Sequence, residues 1–423
     1  MVGRRIALLT QGSRGDVEPF LVLALALQGR GHDVAMAAPD DFADWITGAG
    51  VLFTPNGTEM RRLLDRPEVR KALSGNPLAY LRAWRDIALP IFEASLDAAW
   101  KLGRDADLIV HHPKVIGAAD VAEATGARSI CASPVPVVPT RAFPAIIFSL
   151  NLGGVLNRLS WAPLGLGRKV FAKPVRAWRQ DVLGLPGRWR PRPGTDRWFG
   201  ADKRLIAVSR HVLERPTDWD PETKLTGYWR AGVVPGFAPP KALADFLAHG
   251  PPPIYIGFGS MPVDEPGRTG ADIIKAVTGA GCRAVVSSGW AGIEANAAPE
   301  TIISVGDVPH DWLFQHVSAV VHHGGAGTTA AGLTAGKPSF VCPVGVDQPF
   351  WGARVAALGA GPAPLPVRQL SAQTLKARLI DLVSNPRYAQ SAGALGQHLR
   401  AEDGIANALD EIEACLAQPR PRR

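Results

Sequence analysis

The chain has 423 residues, 46% of them hydrophobic and 20% charged, with a formal net charge of +8. That length exceeds one ordinary core and implies two domains, and the composition excludes a disordered or fibrous chain. Cys131, Cys282, Cys342 and Cys415 lie far apart with no CxxC spacing, which excludes a disulfide framework or metal cluster and fits a reducing compartment. The first apolar run is too short for a signal peptide, and no uncharged run reaches the roughly 18 residues of a membrane span. The sequence therefore reads as a soluble, cytoplasmic protein.

The positive charge is local. From Arg168 to Arg204 there are eleven Lys/Arg against three Asp, together with Trp178, Trp189 and Trp198. The plainer reading is a solvated, proline-rich linker. The alternative is peripheral contact of 168–204 with an anionic membrane surface. No nucleic-acid motif accompanies the charge, so nucleic acid is not an expected partner.

In chain order, "RRIALLT" (4–10) predicts a buried strand and "EPFLVLALALQGRGH" (18–32) a helix. Strands follow at 33–39 and 50–55, then a helical region from about Pro77 to Leu102, interrupted near Pro90. Strands at 107–112 and 127–133 flank a helix near 115–125, and "KRLIAVS" (203–209) reads as the last strand of this half. The pattern breaks at 231–253, where Pro and Gly cluster. It restarts with strands at 254–260, 282–289, 301–309, 319–323 and 339–344, with helices between, and is helical after Ser371. Strand alternating with helix implies right-handed crossovers and parallel sheets. The fold class expected is α/β, two Rossmann-like domains with parallel sheets facing a cleft. The organisation expected is an N-terminal domain (1–230), a linker (231–253), a second Rossmann-like domain (254–395), and a C-terminal helix with basic tail (396–423). Ligands collect outside the carboxyl ends of such strands.

One stretch at such an end is "VVHHGGAGTTAAG" (320–332). Gly324, Gly325 and Gly327 permit a tight turn and leave no side chains to block a ligand. Thr328 and Thr329 open a helix whose first amides lack internal partners and carry the positive end of its dipole. Strand, glycine turn and exposed amides suit a phosphate. A ligand-free glycine turn is the plain alternative. The paired His322 and His323 point to opposite faces of a strand, with no third ligand at suitable spacing, which disfavours a metal. After the next strand, Asp347 and Gln348 offer an acid and an amide to vicinal hydroxyls, or simply begin a helix.

"DVPHDWLFQHVSAVVHHGGAGTTAAGLTAGKPSFVCPVGVDQPFWGARV" (307–355) resembles the donor signature of family 1 nucleotide-sugar-dependent glycosyltransferases of the two-Rossmann-domain, GT-B, type. More narrowly it is similar to the bacterial and fungal sterol 3-beta-glucosyltransferase branch, whose relatives glycosylate antibiotic aglycones. "TQGSRGDVEPFLVLALALQGRGHDV" (10–34) and "GFGSM" (257–261) extend the resemblance to both halves; the middle, about 135–230, carries none. The resemblance implies that His322 and the amides of Gly325 to Thr329 hold the donor diphosphate, with Ser260 opposite. It implies that Asp347 and Gln348 hold the donor sugar, and that Val308 meets the base through its backbone, with Trp290 flanking. Where plant relatives carry a ribose-binding Glu, eight residues after the His, this chain has Ala330, which leaves uridine against thymidine open.

The acid of the family's GxRGD-like motif is Asp16, implied as the general base that takes the acceptor hydroxyl's proton. Its other reading is a helix N-cap. Arg14 either stabilises charge on the leaving diphosphate or sits in solvent. His111 and His112 line an acceptor pocket or are simply buried. The apolar stretch 143–167 is a wall for an apolar acceptor or a core segment. The implied reaction is inverting transfer of a hexose from a nucleotide diphosphate sugar, UDP-glucose by default, to an apolar hydroxylated acceptor such as a sterol. The nucleotide sugar is a co-substrate, and neither cofactor nor metal is required. A dTDP-deoxysugar transferase of antibiotic biosynthesis and a non-catalytic sugar-nucleotide-binding partner are the alternatives. An oxidoreductase is disfavoured because "GSRGD" lacks the GxGxxG glycines. A sugar-nucleotide epimerase shares the fold and would act without an acceptor.

Overall fold

Short, almost wholly apolar strands separated by helices form two parallel sheets, as strands buried on both faces require. The computed structural model describes residues 3–66, 89–148, 151–164, 171–187, 195, 199–230, 232, 236–259, 266–287 and 300–419. The first sheet has the order β3-β2-β1-β4-β5-β6-β7 and the second β10-β9-β8-β11-β12, with every described pair parallel. The strands of the first are β1 (Arg5–Leu9), β2 (Asp33–Ala38), β3 (Leu52–Pro55), β4 (Leu108–His111), β5 (Arg128–Ser133), β6 (Lys203–Ile206) and β7 (Thr223–Leu225). Those of the second are β8 (Ile254–Gly257), β9 (Ala284–Ser287), β10 (Ile302–Val305), β11 (Ala319–His322) and β12 (Ser339–Val341). Strand order reverses between β1 and β4 in one sheet and between β8 and β11 in the other. These reversals are the crevices where a parallel sheet leaves room for a ligand.

Three elements differ from the sequence expectation. The first helix runs Arg14–Gly29, not from Glu18, because the Ser13–Asp16 capping box starts it earlier, and Pro19 in its second turn takes one donor out of the ladder. β6 is not the last strand of its half: Thr223–Leu225 adds a seventh, too short and too polar to announce itself. The proline-rich 231–253 region contains a helix, Lys241–Ala248, that buries Leu243 and Phe246. Of the helical region expected from Pro77, the part Leu89–Gly103 is described, with Pro90 in its first turn.

The two halves are tied together at several levels. Phe143, Trp161, Ile206 and Trp219 share one apolar core with Leu333, Phe350 and Trp351. The final helix, Gly404–Ala417, crosses back to place Leu409, Ile412 and Cys415 among Phe20, Leu23 and Val110 of the first core. Arg230, beyond β7, pairs with Asp311 and donates from Nη1 to the Ala330 carbonyl at 2.8 Å.

Much of the basic segment is spent internally. Trp178 is buried, the buried Arg179 pairs with Asp120 and Glu123, Lys203 pairs with Glu411, and Arg204 donates to Thr223 Oγ1 at 2.7 Å. Lys173 and Arg176 stay exposed, while Trp189 and Trp198 lie outside the described residues. The 143–167 stretch divides. Phe143, Ile146 and Trp161 are core, whereas Phe148, Leu152, Val155, Leu156 and Leu159 are exposed. Among the described residues, no helix is long and apolar enough to cross a membrane.

Truncating Ile412, fully buried in the first core, should lower the unfolding free energy by about 2–5 kcal/mol. Guanidinium denaturation of Ile412→Ala checks that the last helix is part of the first core, and an unchanged midpoint contradicts it.

Candidate active site

The loop after β1 and the loop after β4 meet at the first reversal. Ser13 caps the helix, and its amide donates to Asp16 Oδ2 at 2.9 Å. Asp16 is thus the third helical residue rather than the N-cap itself, and it serves the cap while facing the crevice. After β4, Pro113 sets a turn closed by Val115 N–H to the His112 carbonyl at 2.9 Å. That turn brings Lys114 Nζ to 2.8 Å and His112 Nε2 to 3.3 Å from the same Asp16 Oδ1. The His112 Nδ1 accepts the Lys114 amide at 3.2 Å, so the ring proton sits on Nε2, facing the carboxylate. Burial lowers His112 to a pKa of about 3 despite the opposing pull of Asp16, so the ring is neutral. Burial would raise Asp16, but the Lys114 ammonium, with His112 and the Ser13 amide, holds it below the usual carboxylate value. The net result is an ionised acid at the crevice.

At the second reversal, His322 ends β11 opposite Gly257 of β8. It is fully buried, and its Nδ1 accepts the Gly324 amide at 3.0 Å. Its proton therefore lies on Nε2, which has no partner among the described residues. Burial, with His323 and His310 nearby, holds the ring neutral by lowering its pKa well below normal. A buried N–H without a partner costs about 1–3 kcal/mol, and an anionic oxygen is the partner that would satisfy it best.

The glycine turn is built for this approach. Gly324 has φ +93°, and a Cβ there would meet Val341 Cγ1 at 2.6 Å. The helix then begins at Ala326 with Gly325 as an N-cap that offers no side chain. Thr329 is corrected by the structure. It lies within the helix, and both its amide and its hydroxyl donate to the Gly325 carbonyl at 2.9 Å. The amides of the first turn are those of Ala326, Gly327 and Thr328.

Past β12, Asp347 Oδ2 accepts from Trp351 Nε1 at 2.8 Å. Burial raises the Asp347 pKa, and the Asp16 carboxylate raises it further. Gln348 is buried, and its Oε1 accepts the amides of Val344 (2.7 Å) and Gly345 (3.2 Å), so its carbonyl shapes the loop rather than standing open to a sugar. Val346 beside them has φ +58°, a strained value for a β-branched residue. Arg14 is exposed, and its guanidinium is taken up by carboxylates. It bridges the halves, 2.7 Å from Asp307 and 3.1 Å from Glu18, with its guanidinium over Trp45. Val308 is buried beside Asp307 in the loop after β10. Ser260 and Trp290 lie outside the described residues.

Sequence reasoning missed Lys114, Asp307 and Arg230. "HHPKV" at the end of a strand was the available signal for the first, since a proline turn there returns the next residue to the sheet edge.

Two parallel sheets whose reversal points face one another define the class: the fold is that of GT-B glycosyltransferases. It is similar to the glycosyltransferase of kitacinnamycin (TM-score 0.72, 21% identity, 98% of this chain and 99% of that one) and to the calicheamicin glycosyltransferase CalG4 (TM-score 0.67, 18% identity, 100% of each chain). The glycosyltransferase family 28 N-terminal domain matches residues 6–144, and the erythromycin biosynthesis protein CIII-like C-terminal domain matches 282–414. A sterol 3-beta-glucosyltransferase of Arabidopsis thaliana is 33% identical over 99% of this chain and 69% of its own length. One of Debaryomyces hansenii is 31% identical over 96% of this chain but only 26% of its own length. The chain belongs to the sterol 3-beta-glucosyltransferase-like family of glycosyltransferases.

Gly327 provides a clean test of the phosphate end, because a Cβ there meets nothing within 4 Å. Gly327→Ala should preserve or slightly raise the melting temperature, since alanine favours a helix by up to ~1 kcal/mol. Calorimetric titration should show UDP affinity falling by at least about tenfold, or ~1.4 kcal/mol. Unchanged affinity would place the diphosphate elsewhere.

Proposed function

We propose that the protein transfers a hexose, with inversion, from a nucleotide diphosphate sugar to a hydroxyl of an apolar acceptor such as a sterol. The observation that carries this reading is the pairing of opposite roles across one cleft. An ionised acid, Asp16, lies at one reversal point, and a buried His322 Nε2 with no partner among the described residues lies at the other, beside the first amides of a helix. Asp16 takes the acceptor's hydroxyl proton as that oxygen attacks the anomeric carbon. The bond from the anomeric carbon to the diphosphate breaks on the opposite face, and the departing charge meets His322 and the amides of 326–328. Fixed donors supply the positive pole there, so a metal is not invoked. Asp347 faces the sugar hydroxyls from the next loop.

The relatives' names support a sterol or related polycyclic alcohol as acceptor and glucose as the sugar. A thymidine-type donor remains the second reading because Ala330, at the plant relatives' ribose-binding position, is buried with its carbonyl engaged by Arg230. A similar solved structure, the glycosyltransferase VinC, is a complex with dTDP (TM-score 0.65, 20% identity, 97% of this chain and 99% of that one). We place the reaction in the cytoplasm. Any peripheral lipid contact through 168–204 would rest on Lys173, Arg176 and residues beyond those described.

A donor-by-acceptor screen read by mass spectrometry tests the reaction class. The expected product is a hexosylated sterol or polycyclic alcohol from UDP-glucose, and a product only from dTDP sugars would favour the second reading. Asp16→Asn should lower kcat by about 10²- to 10⁴-fold while leaving UDP affinity intact. Turnover within a fewfold of the parent would remove Asp16 as base.

A further inference from the structure

The Asp16 carboxylate is surrounded, and its partners are not alike. Oδ2 accepts the Ser13 amide at 2.9 Å and lies 3.4 Å from the Ser13 hydroxyl, both fixed by the start of the helix. Oδ1 faces the His112 ring, which is buried and packed edge-on to Phe20 with centroids 6.1 Å apart. Neither of these can leave without moving the fold. The remaining partner of Oδ1 is the Lys114 ammonium at 2.8 Å, on a side chain that is 50% exposed. A hydroxyl that is to give its proton to Oδ1 needs the place this ammonium occupies.

The Asp347 carboxyl feels the charges of both Asp16 and Lys114. The backbone under the pair is kept bare, since a Cβ on Gly12 would fall 2.8 Å from Lys114 Nζ, and Gly12 holds φ +130°. The charged and titratable groups facing Asp16 are thus Lys114 and His112 from the loop after β4 and Asp347 from the loop after β12. His111 stands behind His112.

We propose that Lys114 is an exchangeable counter-ion of Asp16: it holds the carboxylate until an acceptor hydroxyl takes its place, and then withdraws towards solvent along its half-exposed side chain. The inference rests on Asp16 as the general base. Lys114 is a positioning residue, acting through Asp16. With Lys114 in place, the acid stays ionised and aimed but is a weak base. With Lys114 withdrawn, the carboxylate regains basicity at the moment a proton is on offer. The proton passes from the acceptor hydroxyl to Asp16, and Lys114 keeps its own.

Two measurements test this. The first is a pH titration of the full-length, ligand-free protein labelled with ¹³C at aspartate carboxyls, with the Asp16 signal assigned by its loss in Asp16→Asn. Lys114→Met should move the Asp16 titration to higher pH, and Lys114→Arg should restore it. An unmoved titration overturns the proposal without any appeal to catalysis. The second is the pH dependence of glucosyl transfer from UDP-glucose to a 3β-hydroxysterol. Because kcat/KM reports the free enzyme and kcat the complex, Lys114→Met should shift the acid limb of kcat/KM upward and leave that of kcat in place. Equal shifts of both limbs, or a loss uniform across pH, would mean the lysine stays put or is merely structural. An active Asp16→Asn would instead remove the base reading, while the titration would still report the ion pair.

Discussion

A buried imidazole with one nitrogen committed and the other bare constrains much of the second domain. His322 must sit at the last position of β11 for its Nδ1 to take the Gly324 amide. That bond fixes the tautomer, and the tautomer fixes a donor, Nε2–H, with no protein partner among the described residues. The glycine turn follows from the same requirement. Gly324 takes a left-handed conformation and leaves no volume for a side chain against Val341. The helix that starts two residues later adds amides whose partners must also come from outside it. A fold that leaves these donors bare accepts a cost that an anionic ligand would recover.

The first domain solves the opposite problem, keeping a negative charge ionised at a crevice lined by apolar strands. It uses a helix cap, a neutral histidine and a lysine, all delivered by two loops at the β1/β4 reversal. The two solutions are useful only if they face each other. Arg14 to Asp307, Arg230 to Asp311 and the shared core around Phe143 and Phe350 span the halves. The returning Gly404–Ala417 helix adds a further strap, with Asn407 donating to the Thr226 carbonyl at 2.9 Å. Alignment of the two crevices thus rests on ion pairs at their edges and on ordinary packing behind them.

Much of this was legible in the residues. Strand cores such as "IALL" and "AVV" are wholly apolar, and turn glycines follow them, so the parallel α/β character and both crevice loops could be read directly. The glycine loop after β11 was legible because glycines and a helix start have a local signature. What escaped depended on long-range partners. The Arg14–Asp307 pair escaped because nothing local announces a partner 293 residues away. Thr329 read as a ligand because helix starts are uncertain by a turn, and its hydroxyl turned inward to Gly325. Gln348 read as a sugar clamp, yet its carbonyl closes its own loop. Lys114 has no local signature, since a lone lysine after a proline looks like surface.

Where a nucleotide diphosphate binds is the most direct test, and a crystal structure of the protein soaked with UDP would measure it. Phosphate oxygens are expected within hydrogen-bonding distance of His322 Nε2 and of the amides of Ala326 to Thr328. A diphosphate bound away from that helix start, with Nε2 still unpartnered, would contradict it.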